Sequence, residues 1–306
     1  MSLLTFYKDY PDENSCKLHF KKLRETIGVT CKKCGGIDHY WKADKWQFEC
    51  KGCSFRTTLR SGTVMQSSKL SFQYWYIAMH LLTATKKSFS AKEVQRQLGH
   101  KRYQPVWEML HKLRAVMGLR DEEYKVSGEV EIDEGFYETI LQVSDSEKLK
   151  RGRGSQKQTK VVVMVESKLV EDPPKNRPNK KVGFIKMKVT QNLKSATIDQ
   201  IVKDNIKAES TVVTDAYPSY NGIKDIVKQH KPQVVKPKEA GKILPWVHIA
   251  IGNSKRLLLD IHHKIDHDFM QNYLNEFCYK FNRRYFGEKL FDRLVVAGAS
   301  YKWNQL

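Results

Sequence analysis

Residues 128–138, GEVEIDEGFYE, decide how this chain is read. Val130, Ile132 and Phe136 alternate along one side of a strand, while Glu129, Glu131 and Asp133 share the other. Glu134 falls with the apolar set and is expected at the strand's exposed end. Acids gathered in one strand stand out in 306 residues with 54 Lys and Arg against 34 Asp and Glu, a formal net charge of +20. A single acid on an exposed edge strand needs no chemical reason. A second one changes the reading: VVTDAY, residues 212–217, ends a short β-branched run at Asp215 and passes into the turn chemistry of Tyr217 and Pro218. Adjacent strands can bring two such carboxylates within reach of one divalent cation, and sites on α/β sheets gather at the carboxyl ends of strands.

The surrounding segments supply the sheet. VSGEVEIDEGFYET (126–139), TKVVVMVES (159–167) and KVGFIKMKVT (181–190) read as successive strands, followed by a helix over 195–206 and the strand ending at Asp215. Three strands, a helix, a strand and a further helix is the order of an RNase H-like α/β core, a mixed sheet with flanking helices. SEKLKRGRGSQKQTK (146–160), between the first two strands, is a basic loop whose Arg151 and Arg153 suit phosphate contacts or simple solvation. Towards the end, LPWVHIAIGNSKRLLLDIHHKI (244–265) carries an apolar helical stripe of Val247, Ala250, Ile251, Leu258 and Ile261. HDFMQNYLNEFCYKFNRRYF (267–286) lines Phe269, Tyr273, Phe277, Phe281 and Tyr285 in one core-facing row and finishes with Arg283 and Arg284.

Ahead of this core stands a different kind of segment. Cys31, Cys34, Cys50 and Cys53 form a C-x2-C-x15-C-x2-C pattern within TCKKCGGIDHYWKADKWQFECKGCSF (30–55). Each C-x2-C turn aims two thiolates at one tetrahedral site, so the pattern predicts a zinc ribbon, with zinc supplying the folding free energy of a segment too polar to build a core. Cys16 and Cys278 stand alone in helical, core-like contexts, which fits a reducing compartment rather than a disulfide framework. Helices follow over 71–85, over 88–100 with Ser90 and Glu93 in capping-box register and Gly99 as a stop, and from near Pro105 with Val106, Leu110, Leu113 and Met117 in helical spacing. Three short helices with tight turns resemble a helix-turn-helix unit, whose DNA-facing side would include Arg102, Lys112 and Arg114; a plain helical connector with solvated charges is the other reading.

The basic balance makes a polyanion, nucleic acid first, the expected partner. No apolar run approaches the roughly 18 residues that a membrane span needs, and the opening MSLLTFYKDYPDENS lacks a signal peptide's basic flank, so an intracellular, soluble protein is expected.

Taken in order, the ribbon, the helical segment, EIDEGFYE, RGRGSQKQTKVVVMVE, VVTDAYPSY, WVHIAIGNSKR and YLNEFCYKFNRR resemble the bacterial insertion-sequence transposases of the ISXO-like group, members of the DDE, RNase H-like superfamily. The likeness runs from about residue 16 to 295. It implies binding to the terminal inverted repeats of an element and to target double-stranded DNA, with cleavage by water and strand transfer by the freed 3′ hydroxyl, in the bacterial cytoplasm at the nucleoid. It also implies Mg2+ or Mn2+ as a catalytic pair, because two hard ions about 3.5–4 Å apart serve the attacking and leaving oxygens, and an assembly, most simply a dimer, that holds two ends. Asp133 and Asp215 become the first and second catalytic residues.

At the third position many relatives carry Glu five residues after a His; here His248 is followed at that spacing by Asn253, with Lys255 close by, as in the Asp-Asp-Asn pattern of some members. Asp260 is the rival, about 10.5 Å further along the helix. Lys255, Arg256, Arg283 and Arg284 join the expected DNA contacts. The expected domains are 1–66 (ribbon), 67–120 (helical) and 121–306 (catalytic). A DNA-binding relative that has lost catalysis and an RNase H-like nuclease are the competing readings.

Overall fold

Side-chain caps open the first two helices. Ser2 Oγ accepts the Thr5 amide at the start of α1 (Leu3–Asp9), and Asp12 exchanges two hydrogen bonds with Ser15 in a capping box that starts α2 (Glu13–Ile27). This computed structural model describes residues 1–140, 158–173, 179–234, 243–262 and 265–301. After α2 come three short antiparallel strands, β1 (His39–Lys42), β2 (Gln47–Cys50) and β3 (Arg56–Thr58). The helices then appear where caps and stops place them: α3 (Phe72–Ala84) behind Ser71, α4 (Ala91–Leu98) between Ser90 and Gly99, and α5 (Tyr103–Glu122). Gly99 ends α4 at φ +61°, a conformation that glycine adopts without the Cβ clash of other residues.

The chain divides into two units, Met1–Arg120 with Arg283–Leu306, and Asp121–Asn282. This differs from a catalytic domain running from 121 to the end and from separate ribbon and helical domains. The last helix, α9 (Leu290–Ser300), packs on α2 and α3, where Phe291 joins the cluster of Phe6, Tyr10, Tyr76 and His80. Gly298 gives its carbonyl to the Val64 amide at 2.9 Å, and a Cβ there would stand 3.0 Å from Met79 and 3.2 Å from Val64. An apolar helix read in isolation does not say which core it completes.

The second unit holds a five-stranded sheet of order β6-β5-β4-β7-β8. Its strands are β4 (Glu129–Glu138), β5 (Gln158–Leu169), β6 (Lys180–Thr190), β7 (Thr211–Asp215) and β8 (Gln229–Gln233). β4, β5 and β6 pair antiparallel, while β7 and β8 run parallel to β4. Both faces are covered, which explains the unbroken apolar run in β5. Val130, Ile132, Val162 and Met164 meet α6 (Ser195–Asn205) and the 3-10 turn Pro218–Asp225 on one face; Val161, Val163 and Val165 meet α7 (Pro245–Ile261) and α8 (Met270–Asn282) on the other. β8, QHKPQ, has no apolar alternation and is a strand through its pairing with β7.

Along the outer margin of β6, side chains of α8 take the place of a neighbouring strand. Gln271 accepts from the Val189 amide at 2.8 Å and donates to the Met187 carbonyl at 3.0 Å; Asn282 accepts from Ile185 N at 2.8 Å and donates to Ile185 O at 2.9 Å. The aromatic row of α8 is only partly a core row. Tyr273, Phe277 and Phe281 pack inward, but Tyr285 lies beyond the helix end and is 80% exposed.

Candidate active site and thiolate cluster

The β4–β7 ladder matches Glu129 with Thr211, Val130 with Val212 and Glu131 with Val213. Asp133 and Asp215 each follow the last matched pair, Glu131 and Val213, by two residues, so both continue along that pair's face of the sheet. Each carboxylate has one oxygen tied to a local amide: Asp133 Oδ1 accepts Glu134 N at 2.8 Å, and Asp215 Oδ1 accepts Tyr217 N at 3.2 Å. Both are half-buried rather than sunk in the core. Two hard oxygen donors, Asp133 midway along β4 and Asp215 at the end of β7, fit a divalent cation such as Mg2+ or Mn2+.

Glu134 corrects the expectation of an exposed strand end. It is buried on the opposite face of β4, beside the fully buried Tyr220, whose phenol is held well above its ordinary pKa by burial and then by Glu134, Asp133 and Asp215. β4 is central, so both of its faces are inside.

Helix α7 lies over β4 and is fastened to it twice. Glu131, only 4% exposed, accepts Trp246 N at 2.8 Å and Val247 N at 3.0 Å through one oxygen, and Tyr137 Oη shares a 2.6 Å hydrogen bond with Ser254 Oγ. Burial pushes the Glu131 carboxyl up to about 7, against the pull of those two amides. Between the fastenings, His248 Nδ1 stands 3.5 Å from Asp133 Oδ2. Asn253 follows His248 by five residues, about 140° round the helix. The flank that meets Asp133 therefore carries His248, Gly252 and Lys255, whose ammonium lies 5.5 Å from the Tyr137 ring centre. Asn253 and Asp260 are exposed on the other flank, and Arg256 is exposed opposite the buried stripe. The structure brings Asp133 against His248 rather than against Asn253, and it gives Glu131 and Glu134 surroundings that the sequence did not reveal. The available signal was an apolar helix start, Leu244-Pro245, that offers no capping side chain of its own.

Residues 125–282 match the family described as the ISXO2-like transposase domain, a span of more than half the chain. The chain belongs to the ISXO2-like transposase family. It is accordingly a DNA transposase of the insertion-sequence kind, an enzyme that cuts DNA. No curated protein matches it. Among solved structures, the Mos1 strand transfer complex is 12% identical, with 74% of this chain and 78% of that one covered at a TM-score of 0.28. A pre-cleavage Mos1 transpososome is 10% identical, with 74% and 79% covered at 0.26. Likenesses this distant add nothing to the family assignment.

In this ISXO2-like transposase the four cysteines converge: their sulfurs all lie within 4.8 Å of one another. The two knuckles are built alike. Gly35 N donates to Cys31 O and Ser54 N to Cys50 O, each at 2.9 Å, and both Gly35 and Ser54 are left-handed, with φ +76° and +56°. A Cβ on Gly36 would stand 3.3 Å from Cys50 Sγ and 3.4 Å from Cys34 Sγ, so the approach to the sulfurs favours glycine. Four soft donors in so small a space fit one tetrahedral ion.

The expected DNA contacts divide sharply. Arg114 is 1% exposed and donates to Phe89 O at 3.1 Å, and Lys112 is buried and donates to Gln66 O at 3.1 Å. Arg283 is buried as well. These three are interior groups rather than an exposed DNA-facing set: Lys112 and Arg114 lie where α5 is buried on every side, from Met109 to Gly118, and Arg283 is buried just past the end of α8. Arg102 and Arg256 are exposed, Arg284 is half-buried with its guanidinium 4.4 Å from the Tyr285 ring centre, and Arg151 and Arg153 lie outside the described residues. Among the described residues, no helix is long and apolar enough to cross a membrane.

Proposed function

We propose that this transposase cuts and joins DNA ends at Asp133 and Asp215, which together hold catalytic Mg2+ or Mn2+. The observation that carries the reading is the β4–β7 register, which supports two carboxylates on one face of neighbouring strands. When bound, the cations supply charge stabilisation for the attacking and leaving oxygens of phosphoryl transfer. The chain's own part is to fix one oxygen of each carboxylate through the amides of Glu134 and Tyr217, so that the acids are oriented before metal arrives. Zinc in the four-cysteine site, double-stranded DNA of the element's inverted repeats and of the target, and a dimer that pairs two ends complete the proposal. Arg102, Lys255, Arg256 and Arg284 remain the candidate DNA contacts.

Two residues of α7 compete for the third position. Asn253 holds it in the family pattern, and an amide oxygen is an acceptable though weakly neutralising ligand. His248 holds it in space, by its contact with Asp133. The test uses full-length protein, Mg2+ or Mn2+ and a labelled duplex carrying the element's end. Asp133→Asn is expected to abolish nicking and joining while end binding persists; binding by wild type without cleavage in either metal would sink the catalytic reading. The more damaging of His248→Ala and Asn253→Ala identifies the third group.

A further inference from the structure

The first turn of α7 has no cap of its own. Leu244 precedes it without a capping side chain, and Pro245 at the first position has no N–H, so the amides of Trp246 and Val247 look outward for a partner. They find it on another element. Glu131 of β4 takes both through Oε2, at 2.8 and 3.0 Å, from a site 4% exposed. The next residue of the helix is His248, and the next residue on that face of the strand is Asp133, and these two are the pair that meet at 3.5 Å. A capping bond made in trans therefore fixes the height and rotation of α7 one residue away from the contact. The Tyr137–Ser254 hydrogen bond fixes the helix again two turns later.

We infer that Glu131 is a positioning residue of the active site: its carboxylate caps α7 from β4 and so sets His248 against Asp133, without ligating metal. This rests on the catalytic reading of Asp133 given above. The role needs an acceptor, not a charge, since either a carboxylate or an amide oxygen can receive two N–H groups.

The same protein, duplex and metals test it. Glu131→Gln keeps the acceptor and is expected to cleave within about threefold of wild type, whereas Glu131→Ala is expected to lose about 10- to 100-fold, the usual scale for a group that orients a ligand. In a His248→Ala background, Glu131→Ala is expected to cost less than about threefold more, because the two act through one contact. Loss in Glu131→Gln as complete as in Asp133→Asn would make Glu131 a charge at the metal and overturn the proposal. So would fully additive losses. Amide hydrogen exchange at Trp246 and Val247 reads the cap without any activity. Protection is expected in wild type and Glu131→Gln and is expected to fall in Glu131→Ala; unchanged protection there removes the cap. If wild type itself fails to cleave, the catalytic reading fails, and the exchange result still decides the cap.

Discussion

The ribbon pairs its strands antiparallel throughout while the five-stranded sheet mixes antiparallel and parallel pairs, and the two are held together by different forces. β1, β2 and β3 span only three or four residues each, and the segment leaves Ile37 76% and Tyr40 57% exposed. Phe48 is its one large buried ring, and two others carry cations: Lys21 lies 4.9 Å from the Trp41 ring centre and Lys17 5.4 Å from that of Trp46. The sheet buries both faces, with Val161 through Val165 entirely inside. One region depends on its cysteine cluster and the other on apolar burial. A fold of the first kind is conditional on an ion, and one of the second kind is not.

The largest expected effect tests that condition. Cys50→Ser, or a strong chelator, removes a contribution that reaches about 10 kcal/mol in zinc-finger peptides, far beyond what the ribbon's few buried side chains replace. Proteolysis should open the region from 29 to 58 while strands β4 to β8 stay protected; one cooperative collapse of both regions would erase the contrast. Next in size is Asp133→Asn, expected to lower cleavage at least ~100-fold with the melting temperature of the sheet unit unchanged. The proposed metal site there would be chemistry laid on a finished fold, unlike the ribbon's. Leu274→Ala, deep in the α7–α8 side of the core, should cost about 2–5 kcal/mol in denaturant unfolding of the sheet unit and leave ribbon metal content untouched. The smallest is Ser90→Ala, which removes the hydrogen bond to Glu93 N and should cost about 1 kcal/mol, read as a small drop in the melting of the helical region.

What was legible in the sequence follows the same division. Local signals held: the cysteine spacing, the Ser90 cap and Gly99 stop, and the alternation that places Asp133 opposite Ile132. What failed was decided by partners far along the chain. Arg114 looks like a DNA contact until the Phe89 carbonyl is seen to receive it. Glu134 looks exposed until Tyr220 covers it, and QHKPQ becomes a strand only beside β7. Glu131 shared a face with Asp133 in the sequence, but its partners lie 115 and 116 residues away, a separation that no periodicity records.

The amides of Gln271 and Asn282 give the sheet a handed margin. A foreign strand arriving beside β6 meets main-chain groups of Ile185, Met187 and Val189 already engaged by side chains. Accretion of further strands is closed on that side, and the protein is spared one route to sticking to itself.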